Sequence, residues 1–165
     1  RSGDVKRLLI VYHSMTTGTA QMAEAAGAAA RAEAETTLLH ADATTPEHLL
    51  EADGYIFATP ENLAAISGKF KDFFDRCYYP ALGRIEGRPY ASLICAGSDG
   101  SNAARQIARI CTGWRLRAVA EPLIVCTFAQ TPEAILSPKH INAVDLARCA
   151  ELGAAMGAGL SLGVF

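Results

Sequence analysis

No apolar run in this chain approaches the roughly 18 residues needed to cross a bilayer, so no membrane span is expected. The first residues, Arg1-Ser-Gly-Asp-Val-Lys6, lack the hydrophobic stretch of a signal peptide, and Arg1 to Asp4 reads as in part a cloning remnant. A dominant charge is missing too: the formal net charge is −2, with no basic block and no acidic tail. That argues against nucleic acid as a partner. It argues equally against a carrier that docks by charge steering. The cysteines, Cys77, Cys95, Cys111, Cys126 and Cys149, are odd in number and contain no C-x-x-C pair. A disulfide framework or a metal site is therefore disfavoured, and buried reduced thiols in a cytoplasmic protein are expected.

What is present is core. The chain has 165 residues, 50% of them apolar and 19% charged. One domain of this length buries about 70% of its unfolded surface. Apolar runs at Leu8–Tyr12, Thr36–His40, Gly54–Thr59, Tyr90–Ala96 and Ala118–Cys126 read as strands, the last on an edge because of Pro122. Helical stretches alternate with them: Ala20–Ala34, Pro46–Glu51 with Thr45 as N-cap, Gly68–Tyr78, Asn102–Arg117 and Lys139 to about Leu160. Gly27 is expected to mark close packing of its helix on the sheet. Pro60–Ser67 and Phe128–Pro138 read as loops. The alternation implies a single α/β domain over residues 5–165, an open five-stranded parallel sheet of order 2-1-3-4-5 with helices on both faces. Ligands bind such sheets at the carboxyl ends of strands 1 and 3, where the winding reverses.

Three loops fall on that edge. The first, Ser14-Met15-Thr16-Thr17-Gly18-Thr19, joins a buried strand to a helix, and four of its six residues carry hydroxyls. Unpaired N–H groups and the dipole of the helix start suit a phosphate, held by dipoles and hydroxyls without Lys or Arg. It has neither the G-K-[ST] of a Walker loop nor G-x-G-x-x-G, and it also reads as a plain N-cap. The second, Thr59 to Ser67, offers N–H groups after Pro60 to a flat polar edge, or is a simple connection capped by Ser67. The third, Ala96-Gly97-Ser98-Asp99-Gly100-Ser101, brings backbone close to a ligand, or is an ordinary turn.

Together these loops resemble the flavodoxin-like family, and within it the NAD(P)H-dependent FMN reductases and NAD(P)H:quinone oxidoreductases. The resemblance covers nearly the whole chain, including Thr59-Pro-Glu-Asn62 and Ser67-Gly-Lys-Phe-Lys-Asp-Phe-Phe-Asp-Arg76. It implies that Ser14 to Thr19 hold the phosphate of FMN. Glu61, Asn62 and Leu63 would lie along the isoalloxazine, with Pro60 also contacting the cofactor, and Cys95 to Ser101 would border its pyrimidine edge. It implies NADPH or NADH as cosubstrate, a small acceptor such as a quinone, azo or nitro compound or free flavin, and a homodimer or homotetramer. The alternative is an electron carrier of flavodoxin type. Leu63-Ala-Ala65 supplies no aromatic where such reductases often place one, which leaves a ring face open to a nicotinamide or quinone.

Other residues read as structural. Tyr78, Tyr79 and Trp114 suit core or interface packing more than substrate contact, and His13 a satisfied buried histidine. Cys111 to Arg117 has the C-x5-R spacing of a thiolate phosphatase but lies late in a helix instead of after a strand. The third strand ends in Thr59-Pro60 and lacks the aspartate of a receiver domain. Asp99 offers a base, which hydride transfer does not need.

Overall fold

The computed structural model describes residues 5–165; Arg1 to Asp4, read above as partly foreign, lie outside them. The elements are β1 (Arg7–Tyr12), α1 (Gly18–Ala30), β2 (Glu35–His40), α2 (Pro46–Glu51), β3 (Gly54–Asn62), β4 (Ala65–Ile66), α3 (Gly68–Ala81), β5 (Pro89–Ala96), α4 (Ser101–Gly113), β6 (Arg117–Ala118), β7 (Leu123–Cys126), α5 (Pro132–Leu136) and α6 (Ala143–Leu162). The central strands are parallel and run β2-β1-β3-β5, with β6 and β7 both paired to the outer side of β5. That is the expected order, with the fifth position shared by two short strands. The continuous strand expected over Ala118–Cys126 is interrupted between them. Pro122 has no N–H for the ladder, and the chain leaves β5 between Ala118 and Leu123. The gap forms a hollow of about 500 Å³ beside Ser92, Ala104 and Ala108.

Alternation along the buried strands sends residues to two unlike cores. Leu9, Val11, Tyr55 and Phe57 join α2, α3 and α4 in an aromatic core. Phe57 meets Phe74 at 5.4 Å between ring centroids, and Trp114 meets Phe74 at 5.3 Å. Trp114 is thus core, as expected, while Tyr78 and Tyr79 are exposed on α3 and pack on each other. Leu8, Ile10, Ile56 and Leu93 face α1 and α6, whose buried residues are mostly Ala, Gly and Met.

Several boundaries differ from expectation. α1 begins two residues early and stops at Ala30, where the N–H groups of Glu33 and Ala34 both turn back to the Ala30 carbonyl. α3 continues past Tyr78 through Pro80, because the Leu82 N–H still closes on the Tyr78 and Tyr79 carbonyls. α4 ends at Gly113, where Arg115 enters the left-handed region at φ 59°. α6 starts at Ala143, capped by the side chain of Asn142.

Small residues set the α1–α6 distance. A Cβ placed on Gly153 would lie 2.0 Å from the Ala26 carbonyl oxygen, inside a rigid backbone atom. Gly27 behaves differently from expectation: a Cβ there would meet Ile10 Cδ1 at 3.6 Å, an ordinary contact, so close packing does not require glycine. The two positions are predicted to respond with opposite signs. Gly153→Ala is expected to cost about 1–3 kcal/mol by overpacking. Gly27→Ala is expected to gain about 0.5–1 kcal/mol from helix propensity. Thermal melts check both, at about 2–4 °C per kcal/mol for a chain of this size.

Candidate functional site

The carboxyl ends of β1, β3 and β5 open onto one cleft of about 590 Å³. Of the residues expected there, Ser14, Met15, Thr16, Gly18 and Thr19 line it from the first loop, Pro60 to Leu63 from the second, and Ala96 with Gly97 from the third. Thr17, Ser98, Asp99 and Gly100 lie off its wall. Cys95, Thr127, Ala129, Ile135, Leu136 and Lys139 complete it.

At the first loop, Thr17 sits at φ 71° as the N-cap of α1 and gives the helix no side-chain cap. Its hydroxyl instead donates to the Lys139 carbonyl. Ser14 Oγ accepts from the Ala20 N–H at 3.2 Å. Among the described residues no protein acceptor takes the N–H groups of Thr16 to Thr19. Such a helix start, with its dipole, attracts an anion. Gly18 is required for a different reason than approach to a ligand: a Cβ there would come within 2.7 Å of Cys95 Sγ. Burial pushes the Cys95 thiol up, against the pull of the Thr19 hydrogen bond and the Lys139 charge, which keeps it protonated.

The second loop is not a loop. β3 runs on through Pro60, past the point where its pairing with β1 ends at Ala58, and turns back on β4. Glu61 pairs with Ile66 and Asn62 with Ala65, leaving Leu63 and Ala64 as a two-residue turn. Both have positive φ, 52° and 62°, as a type I′ turn demands. Neither is Gly or Asn, so each costs about 1–2 kcal/mol. Side chains from α4 hold the strained hairpin down. Gln106 Oε1 accepts from the Ile66 N–H at 2.8 Å, and Asn102 donates to the Ala64 carbonyl.

Glu61 supplies the strongest of these ties. Its carboxylate accepts from the Gly100 N–H at 2.8 Å and the Ala103 N–H at 3.1 Å, filling the N-terminus of α4. Asp99 Oδ1 takes the Ser101 N–H at 3.2 Å. The third loop therefore spends these N–H groups on protein carboxylates, where the sequence suggested donors for a ligand. Gly100 is obligatory: φ is 86°, and a Cβ would meet Ile124 at 2.6 Å.

The fourth wall was missed by sequence reasoning. The stretch expected as a plain loop contains α5 and folds across the cleft. It is tied by the Phe128 N–H to the Gly97 carbonyl at 2.7 Å and by the Lys139 N–H to the Thr16 carbonyl at 2.7 Å. Lys139 Nζ lies 3.3 Å from Thr16 Oγ1, so a cation does stand at the first loop. The usable signal was Phe128, Ile135 and Leu136, apolar residues in a segment that a surface loop would leave polar. Met15, Leu63, Ile135 and Leu136 are exposed around the mouth of the cleft.

His13 is buried, with Nδ1 2.7 Å from Ser67 Oγ, and burial together with nearby His40 lowers its pKa, so the ring is neutral and structural. Cys111 is buried in α4, and desolvation drives its thiol far up, the reverse of a phosphatase nucleophile.

A family model described as NADPH-dependent FMN reductase matches residues 43–130. A flavodoxin of Aquifex aeolicus (strain VF5) is 34% identical over 96 residues, 57% of this chain and 52% of the relative. The match thus spans about half the length of that curated protein. Among solved structures, a flavodoxin from the domain Archaea superimposes with a TM-score of 0.76 at 16% identity, covering 93% of this chain and 98% of the other. A flavodoxin, WrbA-like protein from Agrobacterium tumefaciens gives 0.68 at 21% identity, covering 92% and 95%. The fold is flavodoxin-like.

Substitutions at two positions test the hairpin and its tie to the helix. Glu61→Ala strands two buried N–H groups and is expected to lower stability by about 1–3 kcal/mol for each, with Glu61→Gln costing less. Ala64→Gly removes one left-handed penalty, offset in part by unfolded-chain entropy, and is expected to gain about 0.5–1 kcal/mol. Urea denaturation midpoints read both.

Proposed function

Because the chain belongs to the NADPH-dependent FMN reductase family, we propose that it is an FMN-binding oxidoreductase that passes hydride from NAD(P)H to a small acceptor such as a quinone or flavin. The observation that carries this reading is the open N-terminus of α1 at one end of an apolar-walled cleft. The two ends differ in the way FMN does. Thr16 to Thr19 present N–H groups that meet no protein acceptor among the described residues, beside the hydroxyls of Ser14, Thr16 and Thr19, which suits a phosphate. Leu63, Ala96, Ile135 and Leu136 present hydrocarbon, which suits a flat ring.

When bound, FMN supplies the hydride acceptor and donor; the protein supplies position and electrostatics. Pro60 to Leu63 and Ala96–Gly97 would flank the ring, and the apolar side chains at the mouth would limit its contact with water. Glu61 and Asp99 are engaged by backbone N–H groups, so neither is free for acid–base work, which hydride transfer does not need. The preference between NADPH and NADH and the nature of the acceptor belong to the same proposal.

A second reading, an electron carrier without NAD(P)H activity of its own, is favoured by the Aquifex aeolicus relative named flavodoxin. Steady-state NADPH oxidation with a quinone and no partner reductase separates the two: turnover supports the enzyme, its absence the carrier.

Purified protein is expected to gain absorbance near 450 nm and thermal stability with FMN, by about 2.7 kcal/mol at a hundredfold excess over Kd. Ser14→Asp would place a carboxylate at the α1 N-terminus as Glu61 does at α4. Equilibrium titration is expected to show FMN affinity at least tenfold weaker with thermal stability unchanged or raised. Unchanged affinity would mean that the phosphate lies elsewhere.

A further inference from the structure

We propose that Lys139 is the counter-cation of the cofactor's phosphate, and that it makes this cleft prefer FMN to unphosphorylated flavin. The inference rests on the reading of the cleft as an FMN site and adds the residue that selects the phosphorylated form.

The geometry begins with the backbone. The Lys139 N–H donates to the Thr16 carbonyl at 2.7 Å. The Lys139 carbonyl accepts from the Thr17 hydroxyl at 3.2 Å and from Gln21 Nε2 at 2.8 Å. Gln21 Oε1 then takes the Ile141 N–H at 3.1 Å. Residue 139 is thus fastened on both sides to the phosphate loop and the first turn of α1, although it lies over a hundred residues away in sequence. Its Cβ lies close to Gly18, 3.4 Å from where a Cβ on that glycine would stand. The root of the side chain is set before any ligand arrives, which reduces the ordering cost of binding.

The ammonium is held at the loop but not neutralised. Among the described residues Nζ meets the Ile135 carbonyl at 2.8 Å, the Ser137 carbonyl at 2.6 Å and Thr16 Oγ1 at 3.3 Å, and no carboxylate. The longest of the three contacts is to the hydroxyl that faces the cleft. Lys71 and Lys69, by contrast, sit on Asp75 and Asp42 at 2.7 and 3.0 Å. An uncompensated cation beside an open helix N-terminus favours a dianion over a neutral group, and a charged hydrogen bond is the strong kind. A ribityl hydroxyl in place of the phosphate would gain little from it.

Titrations of wild type, Lys139→Met and Lys139→Arg with FMN and with riboflavin, read by flavin fluorescence, test this. Wild type is expected to bind FMN more tightly than riboflavin. Lys139→Met is expected to lose at least tenfold in FMN affinity with riboflavin affinity unchanged, and Lys139→Arg to keep the preference. Equal FMN affinity in wild type and Lys139→Met overturns the proposal. An equal loss for both flavins overturns it too, and makes Lys139 a strut for the α5 segment only. If wild type itself binds no FMN, the site reading fails first and this assignment falls with it.

Discussion

Two helix N-termini point at the same edge of this sheet, and the chain treats them oppositely. At α4 a protein carboxylate, Glu61, takes the N–H groups of Gly100 and Ala103. At α1 the N–H groups of Thr16 to Thr19 meet no protein acceptor among the described residues. The physical demand is the same in both places, since orphan N–H groups and a positive dipole end require an acceptor. α4 satisfies it internally and becomes a fixed wall. α1 leaves it to whatever enters the cleft. The rest of the site follows from that division.

The fixed wall explains how the hairpin survives. A two-residue turn of Leu63 and Ala64 is a poor choice for positive φ, and alone it would relax. Ties from Glu61, Gln106 and Asn102 bind it to α4 at three points. α4 itself is seated on the aromatic core through Ile107, Cys111 and Trp114. Strain at the tip is over-determined by packing at the base, an arrangement common at binding sites. Its consequence is a fully exposed Leu63 held over the cleft.

The legible parts of the sequence were those governed by local pattern. Continuous apolar runs gave β1, β3 and β5, and hence the winding reversal that locates the cleft. The hydroxyl-rich loop was visible because its composition is unusual at a strand–helix junction. What could not be read were features that depend on partners distant in the chain. Glu61 looks like any polar loop residue until α4 is brought 40 residues around to meet it. Lys139 has no local mark at all; only the docking of its backbone on Thr16 brings its charge to the site. The hairpin was hidden for another reason: Pro60 and the missing Gly or Asn contradict the usual signals, and tertiary ties overrode them. The broken fifth strand is the milder case, since a proline such as Pro122 marks a sheet edge as readily as a break in a strand.

Charge distribution across the cleft gives it a direction. The α1 dipole and Lys139 meet at the first loop; the hairpin wall brings the Glu61 carboxylate, 3.1 Å or less from the Gly100 and Ala103 N–H groups it caps. Capping spends much of that negative charge on α4, yet what remains still disfavours an anion there. For the proposed ligand, with a dianionic tail and an apolar head, that gradient would favour one orientation, tail to α1 and head toward the hairpin. The reversed pose would set a phosphate beside the Glu61 carboxylate and leave the α1 N–H groups without an acceptor, both costly in a partly dry site. On the proposed reading orientation would rest on two helix ends, and the apolar walls between them would have only to be flat.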